Sequence, residues 1–223
     1  MKHAKRHPLI FGTIILTATG LITRVIGFFY RIYLSRLFGE EGMGIYQLLS
    51  PALSLSFSLT AAGYQTAISK YVAADSAKRP SGNLKPLLAG ISITLPLSLV
   101  TNAILFFSAD PIGIFLLKDH RTVPMLRILS FSVPFAALHA CINGYFYGKK
   151  KASVPALTQL LEQLARVSCV FLVTGADLAE GRTPSINAAI LGLTVGEIFS
   201  MLIALVCLYI CLLYTSDAAD EED

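Results

Sequence analysis

"GLITRVIGFFYRIYLSRLFG", Gly20 to Gly39, is apolar enough to lie in a lipid bilayer and yet carries Arg24, Arg31 and Arg36. A guanidinium stays charged under all ordinary conditions, so each of these residues needs water, an acid or an anionic guest close by. The surrounding chain decides the solvent. Of its 223 residues 54% are hydrophobic and only 14% charged, with a mean hydropathy of +0.65, where soluble domains carry roughly 25% charged residues. The chain is read as an integral membrane protein.

A helix needs about 20 apolar residues to cross the hydrocarbon. Six runs qualify: 9–34, 45–72, 87–107, 123–147, 154–174 and 187–213. Lipid offers no partner to open backbone groups, so all six are expected to be helices. The reading is therefore an all-α, polytopic membrane bundle with a basic amino terminus over 1–8, the bundle over 9–213 and an acidic tail over 214–223. That tail, "YTSDAADEED", holds five carboxylates after a chain that is otherwise basic on that side. It is expected to be non-native, a cloning or read-through scar, with the natural chain continuing past Leu213. A secretory signal is rejected, because apolar residues resume after Arg24 without a small-residue cleavage pattern.

Lys and Arg alternate between the loops. Lys2, Lys5 and Arg6, then Lys70, Lys78, Arg79 and Lys85, then Lys149, Lys150 and Lys151 make ten, against four (Arg36, Lys118, Arg121, Arg182) in the other three loops. The positive-inside rule then sets both termini in the cytoplasm of a bacterial cell membrane. These loops interleave no aromatics, so no nucleic-acid partner is expected.

Helical spacing of three and four places Thr13, Thr17, Gly20, Arg24, Gly27 and Arg31 on one stripe of the first span. The same spacing aligns Gln47, Ser50, Ser54, Ser58, Ala61, Gln65 and Ser69 on the second, a polar seam that could share a wet cavity with the first. A charge near mid-helix costs several kcal/mol unless it meets water or a counter-charge, and Glu162 and Glu197 are the partners considered for Arg24. Arg36 and Arg127 lie near span ends and are expected to snorkel. Glu162 and Arg166 stand i, i+4 with the acid first, the favourable order for an intrahelical pair. Glu162, Arg166 and Glu197 are thus candidates for an ion site or a structural pair. Gly192, Gly196 and Ser200 form a small-residue ladder suited to close helix packing, and His139 and Asn143 share a face suited to a helix-to-helix hydrogen bond. Pro96 and Pro134 suggest kinks.

Cys141, Cys169, Cys207 and Cys211 all fall in spans and read as small apolar residues. Cys207 and Cys211 lack further ligands, and no metal or cofactor is expected. No phosphate-cradling glycine loop and no nucleophile with a plausible base appear, so the chain is not read as an enzyme.

The stretch "TRVIGFFYRIYLSRLFGEEGMGIYQL", Thr23 to Leu48, with "GYQTAISKYVA", Gly63 to Ala73, resembles the polysaccharide-biosynthesis, stage V sporulation protein B-like branch of the multidrug/oligosaccharidyl-lipid/polysaccharide exporter superfamily, to which lipid II flippases are more distantly related. The resemblance implies a MATE-like fold of two six-helix lobes around a central cavity, of which this chain supplies the amino-terminal lobe, with a carboxy-terminal lobe as its missing partner. It implies a flippase that moves an undecaprenyl-pyrophosphate-linked saccharide across the bilayer by alternating access. By position, Thr23-Arg24-Val25-Ile26-Gly27-Phe28 matches the family's arginine-and-glycine opening, so Arg24, and less directly Arg31, inherit the pyrophosphate. Gln47, Ser54 and Gln65 join them as candidate substrate-binding residues. A cation-coupled multidrug exporter, drawing on Glu162 and Glu197, and a non-transporting scaffold of envelope or spore-cortex synthesis are the alternatives.

Overall fold

The computed structural model describes residues 8–76 and 84–220, with side chains for 12–76 and 84–213. Lys2, Lys5, Arg6, Lys78 and Arg79 lie outside the described residues. Every described element is helical: α1 (Pro8–Leu48), α2 (Ser50–Phe57), α3 (Gly63–Ser76), α4 (Lys85–Phe107), a single turn α5 (Ala109–Pro111), α6 (Thr122–Gly148), α7 (Ser153–Ala179) and α8 (Asn187–Asp220). Two π-helical turns, Ser58–Ala62 and Ile112–Leu116, join α2 to α3 and extend α5.

The run from Gly12 to Ser76 is 65 residues long, or about 98 Å at 1.5 Å per residue, some three hydrocarbon thicknesses. It cannot be one crossing, and it breaks at Gly39, whose φ of 68° and ψ of −174° are open to glycine alone. With α4, α6, α7 and α8, each 23 residues or longer, the chain makes a multi-pass membrane bundle. Gly12 packs beside Ala152, Gly27 beside Gln163 and Tyr33 beside Thr174, so α1 runs parallel to α7, while Glu41 meets Arg121 beyond the Gly39 break.

Helix α6 is the axis. Of its most apolar stretch 61% is buried, against 22% or less in the other spans, and α3, α4 and α8 all pack on it. Toward the Gly39 end, Ile45, Leu49, Leu105, Val123, Leu126, Leu129, Ile190 and Leu193 form one apolar cluster. Toward the other, Ile68, Val72, Leu87, Ile142, Tyr145 and Phe146 form a second. A third seats α1 on α7 through Tyr30, Leu34 and Val170, with Tyr33 Oη bonded to Thr174 Oγ1 at 2.7 Å. Leu21, Phe28, Phe29, Phe107, Phe115, Leu172 and Tyr209 are exposed, apolar surface that water would penalise and acyl chains accept.

The small-residue ladder packs α8 on α7. A Cβ at Gly192 would stand 2.9 Å from the Arg166 carbonyl oxygen and one at Gly196 3.1 Å from that of Glu162, so the two backbones touch, as bilayer packing favours. Pro96 and Pro134 lie inside α4 and α6, both of which continue through them. All four cysteines are free.

Candidate functional site

Three cavities follow one another along the bundle where α2 and α3 lean over α6, α7 and α8. The first, about 510 Å³, is lined by Arg31, Tyr46, Gln47, Ser50, Leu129 and Ile190 among others. It shares Leu53 with the second, about 240 Å³, where Ser54, Ser56, Thr60, Ser132 and Glu197 converge. That one shares Phe57, Ala136 and Glu197 with the third, about 220 Å³, lined by Gln65, His139, Asn143, Gln159 and Glu162. Together they make a groove of mixed polar and apolar lining that runs from the Gly39 half of the bundle toward the basic loops. Arg31, Gln47, Ser54 and Gln65, drawn from two separate spans, all open into it.

The groove exists because α2 and α3 carry hydroxyls and amides on the face turned from lipid, and because the chain winds differently than a regular helix would. Ser50, Ser54 and Ser58 are exposed, whereas Ala61 is fully buried and Gln65 half-buried. The π-helical turn at Ser58–Ala62 lies between them, and its wider winding rotates the seam so that the later residues meet α6. At Gly144 the missing side chain lets the Gln65 backbone approach; a Cβ there would stand 2.6 Å from the Gln65 carbonyl oxygen. Spacing alone did not single out Gly144; its signal is a glycine one turn beyond His139 and Ala140 in an otherwise bulky helix.

Arg24 is placed differently. It is exposed, lies on the flank of α1 beside the Tyr30 and Leu34 contact face, and lines none of the three cavities. The two acids considered as its partners are committed elsewhere: Glu162 accepts from Arg166 and Glu197 faces His139 Nδ1 at 3.7 Å. Arg24 makes no ion pair among the described residues, and neither does Arg31. About two helical turns, roughly 10 Å, separate the two arginines on one side of α1. Arg36 is likewise exposed. Arg127 does not simply snorkel: it binds Asp110 at 2.6 Å and lies 6.0 Å from the Phe106 ring.

The inner end of the groove is a hydrogen-bonded knot across three helices. His139 of α6 contacts Ser200 Oγ of α8 at 2.8 Å through Nδ1, and Thr158 Oγ1 of α7 at 3.1 Å and Asn143 Nδ2 at 2.9 Å through Nε2. Thr158 in turn donates to the Pro155 carbonyl at 3.1 Å. The shared face of His139 and Asn143 was visible in the sequence; Thr158 and Ser200, 19 and 61 residues from His139, were not. A larger and mostly apolar cavity of about 640 Å³, between α3 and α4 around Ile68, Tyr71, Pro86 and Gly90, holds none of the candidate substrate-binding residues.

A multi-pass helical bundle with adjoining cavities along its interior, into which hydroxyls, amides and Arg31 open, has the build of an integral membrane protein. The chain belongs to the polysaccharide biosynthesis protein family, whose pattern it matches over residues 9–220. It is 36% identical to stage V sporulation protein B of Bacillus subtilis (strain 168) over 197 residues, 88% of this chain and 38% of that protein. It is 27% identical to the lipid II flippase MurJ of the same organism over 179 residues, covering 76% of this chain and 32% of the flippase. The uncharacterized membrane protein YabM, also from that organism, is 27% identical over 164 residues. The chain therefore spans about a third of the length of the curated relatives it matches. No solved structure matches it.

Proposed function

We propose that this chain forms the amino-terminal lobe of a flippase that moves an undecaprenyl-pyrophosphate-linked saccharide across the cytoplasmic membrane by alternating access, with both termini cytoplasmic and a carboxy-terminal lobe closing the cavity. The observation that carries the reading is the groove itself: Arg31 and Gln47 of α1, Ser54 of α2 and Gln65 of α3 line three adjoining cavities that follow one another along the bundle. Family membership and the likeness to a protein named as a lipid II flippase support it.

The chemistry suits the cargo. A pyrophosphate diester carries two negative charges, and guanidiniums offer it charge-assisted, bidentate hydrogen bonds. Arg31 at the mouth and Arg24 on the adjoining flank supply permanent positive charge without an internal acid to quench it. Hydroxyls and amides deeper in the groove replace the water around the sugar. The head group is bound and released, so no bond is made or broken and the protein acts as a carrier rather than an enzyme.

The test is lipid binding to the protein in nanodiscs, read by native mass spectrometry. Undecaprenyl pyrophosphate should bind at least tenfold more tightly than undecaprenol, since hydrogen bonds to charged groups contribute about 1.5–3 kcal/mol. Arg31→Ala should remove most of that preference and Arg24→Ala part of it. Equal affinity for the two lipids in the unaltered protein would defeat the proposal.

A further inference from the structure

The cavity of about 640 Å³ between α3 and α4 shares no lining residue with the three that make the groove. Tyr64, Ile68, Tyr71 and Asp75 of α3 form one wall, at the three- and four-residue spacing of a single helix face. Opposite them, Pro86, Gly90 and Ile93 of α4 keep the same spacing. The cavity is therefore a trough along the seam of two neighbouring helices. Gly90 makes its floor: a Cβ there would stand 2.4 Å from Ile68 Cδ1, so the helices close behind it, while Ala67 and Ala89 leave the mouth wide.

The trough has the depth of one leaflet. From Tyr64 to Asp75 the α3 wall rises about 16 Å at 1.5 Å per residue, half of a hydrocarbon core about 30 Å thick. Its two ends differ in chemistry. The end toward the bilayer middle is lined by Tyr64, Ile68 and Ile93, and the end toward the loop between α3 and α4 by Asp75 and Lys85. An apolar chain belongs at the first and a charged head group at the second.

The two charges at the mouth are opposite in sign, and that selects the head group. Lys85 suits a phosphate and Asp75 suits an ammonium with N–H groups to donate. A purely anionic head group would set its phosphate beside the Asp75 carboxylate with nothing to offset the repulsion. A choline head group has the positive charge but no N–H for Asp75 to accept from. We propose that the α3–α4 trough binds one aminophospholipid of the phosphatidylethanolamine type, with an acyl chain along Ile68, Gly90 and Ile93, its phosphate at Lys85 and its ammonium at Asp75. The site goes beyond the carrier reading and does not depend on which cargo the arginines hold.

The experiment is native mass spectrometry of the protein in detergent, titrated separately with phosphatidylethanolamine, phosphatidylglycerol and phosphatidylcholine of the same acyl chains. Phosphatidylethanolamine should give one saturable adduct, bound about fivefold more tightly than the other two, the range of an ion pair open to water on one side. Asp75→Asn should bring it down to the affinity of phosphatidylglycerol. Lys85→Gln should weaken both of these lipids alike, by about fivefold. Ala89→Trp fills the trough and should remove the saturable adduct for all three, whereas Arg31→Ala should leave the phosphatidylethanolamine adduct unchanged. Should Ala89→Trp fail to fold, Ala67→Leu narrows the same trough from the α3 side and should lower the affinity for all three. The proposal is overturned if the wild type binds the three lipids equally or prefers phosphatidylglycerol, or if Asp75→Asn keeps the preference. It is also overturned if undecaprenol displaces the adduct, which would give the trough to the tail of the cargo.

Discussion

Arg166 and the pair Arg24 and Arg31 are the same side chain at membrane depth, and the protein treats them in opposite ways. Arg166 is four-fifths buried in α7 and paired one turn back with Glu162. Arg24 and Arg31 stand exposed on α1 with no ion partner among the described residues. A charge neutralised inside the fold belongs to the fold, because its desolvation has already been offset by a neighbour. A charge left open must be balanced from outside, by water, a lipid phosphate, a guest or another part of the protein. The contrast divides the bundle into a sealed α7–α8 wall and an open α1 flank.

The largest expected effect tests the sealed side. Glu162→Leu strands the Arg166 guanidinium, whose Nε already lacks a hydrogen-bond partner, and should cost about 3–5 kcal/mol in reversible unfolding from mixed micelles. The double substitution Glu162→Leu with Arg166→Met should recover most of that loss. If the single change is tolerated, Arg166 is not sealed and the division fails. Gly144→Ala comes next. Its added methyl would meet the Gln65 carbonyl at 2.6 Å, pushing α3 away from α6 at a cost of about 1–3 kcal/mol. Because backbone rather than a flexible side chain is in the way, the unfolding temperature should fall more than for Gly175→Ala, where nothing lies within 4 Å.

The division was only half legible in the sequence. The helical membrane class followed from run length, since lipid leaves a spanning segment no other way to satisfy its backbone. The i, i+4 pair of Glu162 and Arg166 was readable because both members sit on one helix. Which helices face each other is not a local property, so the partners considered for Arg24 could be named but not placed. The second span misled in a more instructive way. A seam drawn with uniform helical spacing from Gln47 to Ser69 assumes regular winding, and the π-helical turn at Ser58–Ala62 breaks that assumption without a proline or any other marker. Pro96 and Pro134, where kinks were expected, lie inside helices that run on through both. What reshapes the backbone beside the groove is the turn that composition did not announce.

The open side predicts small effects on stability. Arg24→Leu and Arg31→Leu break no ion pair within the described bundle, so each should change the free energy of unfolding by no more than about 0.5 kcal/mol in micelles. Their consequences should appear in lipid binding instead. A loss comparable to that of Glu162→Leu would mean that the α1 arginines are structural after all, and the contrast with Arg166 would dissolve.

The smallest effect is expected where the paired guanidinium itself is open to water, as Arg121 is at 57% exposed, which sharpens the rule by separating a buried cation from an exposed one. At the Gly39 end, Arg121 donates to Asp119 through Nε at 3.1 Å and Nη2 at 3.0 Å, and its Nη1 reaches Glu41 at 2.7 Å. The guanidinium bonds hold the Asp119 carboxyl below the usual carboxylate range. A carboxyl whose folded value is depressed stabilises the fold above its unfolded value, near pH 4, and that contribution is lost as pH falls through the folded value. Asp119→Asn should therefore unfold at a slightly lower temperature than wild type at pH 6, and the gap should close as pH falls below about 4 through the folded value. Raising salt to 1 M at pH 6 should narrow the gap as well, because solvent-exposed charges are screened, whereas the penalty of Glu162→Leu should persist in the same salt. Equal salt sensitivity at the two sites would place Arg166 in contact with bulk water and remove the physical ground for calling its pair sealed.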